Sequence, residues 1–582
     1  MSAPRLPDLP PAPVPVVLTR TAAETCVVTL VRPPVVTLPG SLATHGPVPP
    51  VGMAYLAATV REAGHDVRVI DSPMAELGRF DEIDSPVGRL RRWGLAPSDV
   101  VARIDPATRV LGLSNMFLHE WPQVREIAEL ARERFPELVI VAGGETPTAF
   151  WRQIFEQTGA IDAVVLGEGE APFLELIDRV LAGAPLDRQE GVVVAPGRDA
   201  MGTGSAELAP RLRRLDVIPR PAWDLFPLEH YWESTPFFGV DLGRSMPVLA
   251  TRGCPYKCTF CSSPQMWTTR YVVRDPEDLA DEIADHVRLH DVRNINFCDL
   301  TAITKRQWTL DFCDALDARG LDITWQLPVG TRSEALDAQV LRRLYETGCR
   351  NITYAPESGS PRMLQAMDKR VDLDHMFSSL RAANEIGLKT HVNVIIGHPA
   401  ERWSDLWLSL RMLLRAAWIG CDDAAPSIFA PYPGSRDFAA LVDAGAIEVD
   451  EAIHYVSFSR STSASRSYNP RMSARQLRVV QLAMLAAFYG VSAVLHPSRA
   501  WRWLRTPFRG GETTYLEQML RSRRAERAQA RALARARPRG TGSDPQEARA
   551  PMVTLTGAGA ASSPQGSASA ISNGSGVDTR SP

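Results

Sequence analysis

Three cysteines stand in the run Arg252-Gly253-Cys254-Pro255-Tyr256-Lys257-Cys258-Thr259-Phe260-Cys261, spaced Cys-x3-Cys-x2-Cys. No other feature of the chain limits its fold so strongly. Three thiolates on one short loop can hold three irons of a [4Fe–4S] cube and leave the fourth iron open to a ligand. A structural zinc site needs four protein ligands in a closed tetrahedron. The next candidates after the run, His286 and Cys298, are not at finger-like distance. A disulfide would leave one of three close thiols unpaired. Such a loop needs a rigid scaffold, and the residues around it indicate which.

Upstream, short apolar runs alternate with helical stretches. Strands are expected at Cys26–Val31, Val67–Ile70, Arg109–Ser114, Leu138–Ala142 and Ala163–Leu166. Helices are expected at Met53–Ala63, Pro122–Phe135 and Ala171–Leu181. This alternation builds a parallel, doubly wound sheet, whose ligands sit beyond the carboxyl ends of the strands. Two of those ends are glycine-rich, Gly143-Gly144 and Gly167-Glu168-Gly169, where backbone can approach a ligand and offer N–H groups. A tight turn is the plain alternative for each. Ser114 ends the third strand. His119 lies just past it and suits either a metal ligand or a helix start.

Downstream, six more strands are expected at Pro247–Thr251, Asn294–Cys298, Ile323–Leu327, Asn351–Ala355, His391–Ile396 and Pro426–Ala430. Helices fill the gaps at Pro276–His290, Lys305–Arg319, Glu334–Thr347, Asp374–Ile386 and Ser404–Ile419. Six such units make a partial (β/α)6 barrel, and catalytic groups in parallel barrels collect at the C-terminal strand ends. The cysteine run follows the first strand. Asp299, Arg332, Glu357-Ser358 and Gly397 follow the second to fifth. Carboxylates there suit an amine or hydroxyls, and Arg332 suits a carboxylate. Surface charge, or a helix cap for Glu357, is the alternative. Cys298 and Met266 near the same mouth are either packing or radical-handling groups.

Taken together, these motifs resemble the class B, cobalamin-binding radical S-adenosylmethionine (SAM) enzymes. Phe260 before the third cysteine, Glu357-Ser358-Gly359, Gly397-His398-Pro399 and Pro433-Gly434-Ser435 match that family's pattern. The chain has Ala355-Pro356 where the family usually has Gly-Ile. The Asp-x-His-x-x-Gly cobalt-ligand motif is missing. The resemblance implies an α/β fold: a doubly wound cobalamin-binding domain over 25–195, a linker over 196–245, a radical SAM barrel over 246–455 and a helical region over 456–515. It implies a [4Fe–4S] cluster on Cys254, Cys258 and Cys261, and SAM against Phe260, Asp299, Arg332, Glu357, Ser358 and Gly397. Cobalamin would lie against Ser114, His119, Gly143, Gly144, Gly167, Glu168 and Gly169. SAM on the open iron would be cleaved to a deoxyadenosyl radical, with a flavodoxin or ferredoxin as electron donor. Methyl transfer to an unactivated carbon of a small or lipid-like metabolite is the expected reaction. Cyclisation, oxidation or carbon–carbon coupling stands as the second enzymatic reading, and a non-catalytic cobalamin sensor or carrier as the third.

The formal net charge of −3 gives no field suited to nucleic acid. Cys26, Cys298, Cys313, Cys349 and Cys421 stand singly, as buried thiols do. Free thiols and an oxygen-sensitive cluster suit a reducing cytoplasm. The Pro-rich residues 1–24 have no apolar core of signal-peptide length and read as an unfolded lead-in. Residues 516–582 read as a basic helix, with eight arginines against Glu526 between Arg521 and Arg539, and an unfolded Gly/Ser/Ala/Pro tail. Leu477–Leu495 is apolar over nearly membrane-spanning length. It suits a helix closing the barrel mouth or, with Trp501, Trp503 and the nearby arginines, a peripheral contact at the inner membrane face.

Overall fold

In the computed structural model the described residues are 24–39, 48–76, 78–186, 189–196, 207–233, 239–460, 466–509, 514–517, 520 and 524. The lead-in and the basic tail lie outside them, apart from residues 24, 516, 517, 520 and 524.

The first sheet contains β1 (Val27–Arg32), β2 (Asp66–Asp71), β3 (Val110–Ser114), β4 (Val139–Gly143), β5 (Ala163–Val165) and β6 (Val192–Val194). Their order is β2-β1-β3-β4-β5-β6. All neighbours are parallel except β5 and β6. The strands are Val- and Ile-rich and buried on both faces, because helices cover both sides of such a sheet. β3 and β4 end in register, with Ser114 opposite Gly143, so their following loops emerge side by side. A small antiparallel sheet of Val35–Thr37, Gly88–Trp93 and Phe80–Ser85 sits beside this unit. Sequence reading did not anticipate it.

The second sheet is β7 (Ser245–Val248), β8 (Asn294–Phe297), β9 (Thr324–Thr331), β10 (Cys349–Glu357), β11 (Lys389–Ile396) and β12 (Asp423–Ile428). These run in sequence order and all parallel, the geometry of an open (β/α)6 barrel. The intervening helices start and stop on local signals. Pro276–His290 begins at Asp275, whose carboxylate accepts the N–H groups of Glu277 and Asp278, and ends at Asp291 in the left-handed region. Leu373–Ile386 begins on Asp372 and ends at Gly387, also left-handed.

One apolar core runs from the first sheet into the second, joining Val28, Leu30 and Phe173 to Met246, Phe297 and Tyr354. The stretch expected to be a linker contributes to it. Ala222, Trp223, Phe226, Leu228 and Tyr231 are buried there, and the Tyr231 hydroxyl donates to Asp71 at 2.6 Å.

The apolar run forms the helix Ala474–Leu495, opened by a Ser473/Gln476 capping box. It does not close the mouth. It lies along the outside of the barrel, against the helix Trp403–Ile419 and β12. Leu477 packs at Gly397, beyond the C-terminal end of β11, while Arg499 past the helix end donates to the Gly420 carbonyl at 2.6 Å. Met484 and Phe488 fill the wall between. Residues 514–517 lie under the barrel. Tyr515 and Leu516 donate backbone N–H groups to Asp423 at 2.7 and 3.3 Å. The Tyr515 ring lies 4.7 Å from His391, and its hydroxyl donates to the Pro328 carbonyl at 3.4 Å. This segment is a floor at the end opposite the cysteine loop. Burial and the neighbouring Asp422 push the Asp423 carboxyl up to about 7.

Candidate functional site

The cysteine loop leaves the first barrel strand through Thr251-Arg252, a two-residue strand paired with Val272-Val273. Gly253 has φ +86°, and a Cβ there would overlap the Arg270 carbonyl, so only glycine turns the chain into the loop. Cys261 N–H donates to the Cys258 carbonyl at 3.3 Å, which winds the loop into one turn. All three thiols are partly buried. Burial raises their pKa values, that of Cys261 to about 12. A bound metal deprotonates a coordinating thiol outright. Among the described residues no three His, Cys, Asp or Glu side chains converge on a single-ion site. A cubane needs no such convergence, since each thiolate meets its own iron.

The loop is fastened on every side by residues that sequence reading did not single out. Arg252, just before it, makes a bidentate pair with Glu170 of the first domain, at 2.6 and 3.1 Å, with both side chains buried. Burial alone would raise the Glu170 carboxyl; the Arg252 guanidinium outweighs it and holds it low. Ser262, just after Cys261, donates to Glu145 of the first domain. Thr259 donates to Asp437 at 2.9 Å, Asp437 also holds His398 at 2.9 Å, and Arg436 donates to the Lys257 carbonyl. The loop's own partners lie 82 to 179 residues away from it in the chain, which hides them from sequence inspection.

Of the residues expected at SAM, some face the loop and some serve the scaffold. The Arg332 guanidinium lies 3.7 Å over the ring of Tyr256, inside the loop, and pairs with Glu334 at 2.7 Å. Its Nη1 is buried and has no acceptor among the described residues, as a donor kept for a ligand carboxylate would be. Glu357 has φ +70° and faces Lys369 at 3.3 Å, and Lys369 acts electrostatically on Cys258 and Cys254. Phe260 packs against the cluster that contains Leu118, Phe150, Phe429 and Phe438, where the two domains meet. Gly397 donates its N–H to Glu401, whose carboxyl burial pushes up to about 8. Asp299 is turned inward. It accepts Thr251 Oγ1 at 2.6 Å and Ala250 N–H at 3.2 Å, holding the end of β7, and burial raises it to about 6. Ser358 is fully buried against Ser409 and Ser360, within the cap of the next helix. Cys298 is partly buried, which raises its thiol to about 12, and Met266 is core.

On the first domain the glycine loops emerge next to each other. Gly144 has φ +113°, and a Cβ there would meet the Asn115 carbonyl at 2.7 Å. Gly143 is different: a Cβ would meet only Val165, at 3.9 Å, so the protein itself does not require glycine. A ligand drawn close to the backbone would. Thr148 ties the loops together, donating to the Gly144 carbonyl at 2.8 Å and accepting Gly167 N–H at 3.0 Å. Gly167 has φ +73° and lies against the Met266 carbonyl, and Gly169 opens the helix Glu170–Leu181. Glu168 is spent on Arg211 at 3.0 Å and Leu212 N–H at 2.9 Å. Met116 and Phe117, beyond Ser114, are about half exposed, an apolar surface offered at a strand end. His119 stacks on Phe117 and meets Phe458 at a tilt, with Nδ1 3.1 Å from Ser457 Oγ, and burial lowers its pKa to about 4.

Residues 42–177 match the B12 binding domain family, and residues 248–413 match the Radical SAM superfamily. The chain belongs to the cobalamin-binding radical SAM enzymes. Its cofactors are a [4Fe–4S] cluster, SAM and cobalamin. The chain is 28% identical over 388 residues to "Uncharacterized methyltransferase PH0819" of Pyrococcus horikoshii, covering 67% of this chain and 77% of that one. It is 27% identical to the anaerobic magnesium-protoporphyrin IX monomethyl ester cyclase of Cereibacter sphaeroides, over 69% of this chain and 62% of that one. The fold is shared with the methyltransferase TsrM of Kitasatospora setae, solved with cobalamin and a [4Fe–4S] cluster bound: TM-score 0.57, 14% identity, covering 87% of this chain and all of that one.

Proposed function

We propose that this enzyme transfers a methyl group to an unactivated carbon of a small or lipid-like metabolite. The observation that carries the reading is the double fastening of the cysteine loop to the first domain, Arg252 to Glu170 and Ser262 to Glu145. It ties the cysteine loop to the residues that follow the fourth and fifth strands of the first sheet, which supports both cofactors serving one substrate. Bound there, the cluster with SAM supplies a hydrogen-abstracting radical and cobalamin supplies the methyl group. Cys254, Cys258 and Cys261 hold the cluster. Arg332 takes the SAM carboxylate, Glu357 its amine or hydroxyls, and Phe260 and Gly397 lie along it. Asp299 and Ser358 position the wall. Ser114, Gly143, Gly144, Gly167 and Gly169 offer backbone to the corrin, His119 and Glu168 flank it, and the cobalt takes no ligand from His119. A flavodoxin or ferredoxin in the cytoplasm supplies electrons, with the enzyme peripheral at the inner membrane face.

The likeness to a cyclase favours one second reading, ring closure on the same two cofactors. Anaerobic turnover with methyl-labelled SAM separates them. Label in the product together with deoxyadenosine is the expected result. Deoxyadenosine with unlabelled product is cyclisation or coupling, and no deoxyadenosine at all leaves a carrier.

A further inference from the structure

Three helices of the outer wall pack in a row, Trp403–Ile419 against Ala474–Leu495 and that against Pro497–Arg509, and turn an unusual face outward. Trp403, Trp407, Trp418 and Trp501 are 47, 59, 71 and 61% exposed, and Val479 and Val494 between them are more than half exposed. A protein rarely leaves four indoles in water without a use for them. On these helices Arg411, Arg475 and Arg505 are exposed, while Arg415, Arg499 and Arg502 are tied to Asp374, Asp422 and Glu517, and none of the three helices carries a lysine. Their one acid, Asp405, is buried and paired with Arg362.

We infer that this face docks on a bilayer of anionic lipids. This deepens the peripheral contact proposed above and rests on that reading for its purpose. Indoles with arginines match the headgroup boundary, where the ring is half apolar and the guanidinium meets phosphate. The helix Ala474–Leu495 is long and apolar enough to cross a membrane. Its other face, however, is the barrel wall at Leu477, Met484 and Phe488, so it lies on the bilayer. Two other occupants fit less well. A second copy on a two-fold axis would set arginines against arginines. Nucleic acid would gain nothing from Val479, Leu482 or Val494. Trp403 starts its helix just past the loop that follows β11, so the docked face reaches the edge of the cofactor mouth.

The test is flotation of the full-length protein with vesicles of phosphatidylcholine containing phosphatidylglycerol, and with phosphatidylcholine alone. Low-salt binding to the first only, released as salt rises, with a blue shift of tryptophan emission, is expected. Arg411→Gln, Arg475→Gln and Arg505→Gln should each lower partition by about fivefold. The combined Trp403→Ser, Trp407→Ser, Trp418→Ser and Trp501→Ser protein should lose the emission shift and most of the binding, while keeping its circular dichroism. Wild-type protein that stays off anionic vesicles at low salt overturns the inference. So does a four-tryptophan variant that binds like wild type, a concentration-dependent dimer that these serines abolish, or stronger retention on DNA than on vesicles. Deoxyadenosine formation, measured without lipid, tests the enzymatic reading separately, and its loss would leave the docking result standing.

Discussion

At the strand ends of the first sheet the groups on offer are mostly backbone: the turns at Gly143-Gly144 and Gly167, with Thr148 bracing them. At the strand ends of the second sheet they are side chains: three thiols, the Arg332 Nη1 that has no acceptor among the described residues, and Glu357 beside Lys369. The difference follows from the ligands. A corrin is broad and is met by shape, so glycines and an apolar edge suffice. A cluster and a zwitterion are met by charge and by metal–sulfur bonds, which only particular side chains make. Mutations should therefore act differently on the two sides.

The largest effect is expected at the cysteines. Cys254→Ala, Cys258→Ala and Cys261→Ala should each abolish the charge-transfer absorption of reconstituted protein and all SAM cleavage, whereas Cys349→Ala should keep both. Full absorption in any of the first three would end the assignment.

Next is the clasp between the sides. Glu170→Ala leaves Arg252 buried without its main partner and should cost about 3–5 kcal/mol by urea unfolding at neutral pH. Because the folded-state pKa of Glu170 is depressed, its stabilisation is present above the usual carboxylate range and is lost as pH falls through the folded value. The gap between wild type and variant should thus close on acidification. A gap that stays constant with pH would mean the pair acts through packing alone.

A sharper contrast lies within one glycine pair. Gly144→Ala meets both a left-handed backbone and the Asn115 carbonyl, and should destabilise the domain. Gly143→Ala meets no protein atom closely, so urea stability should stay within about 1 kcal/mol of wild type while cobalamin affinity, read by retained absorbance after desalting, falls. Unchanged cobalamin retention would move the corrin away from this turn. The smallest effect belongs to His119→Ala: the cobalt spectrum should remain base-off, and a shift would make His119 a ligand.

The same contrast explains what could be read in the sequence. All six barrel strands and helices such as Pro276–His290 were legible, because apolar periodicity and capping residues are local. The sheet around Phe80–Ser85 and Gly88–Trp93 was not. Its strands are held by cross-strand charges, Arg92 to Asp81 and Arg89 to Glu82, and show little apolar alternation. The packed stretch at 222–231 was hidden by Pro227 within it and by Pro219 and Pro221 just before it. The inward turn of Asp299 was hidden because a strand-end carboxylate looks the same whether it serves a ligand or a backbone. The Arg252–Glu170 clasp leaves no local trace at all.

The floor built by Tyr515 has a consequence for how the molecule is made. Asp423 leaves the ribosome 92 residues ahead of the Tyr515 N–H it binds. At about 5–20 residues per second, the barrel waits roughly 5–20 s with its lower end unsealed. During that interval the cysteine loop and its clasps to the first domain are already synthesised, so the cluster end can be organised before the opposite end is shut. Synthesis order thus leaves the apolar interior most exposed to chaperones, or to aggregation, in chains stalled between β12 and the last described segment.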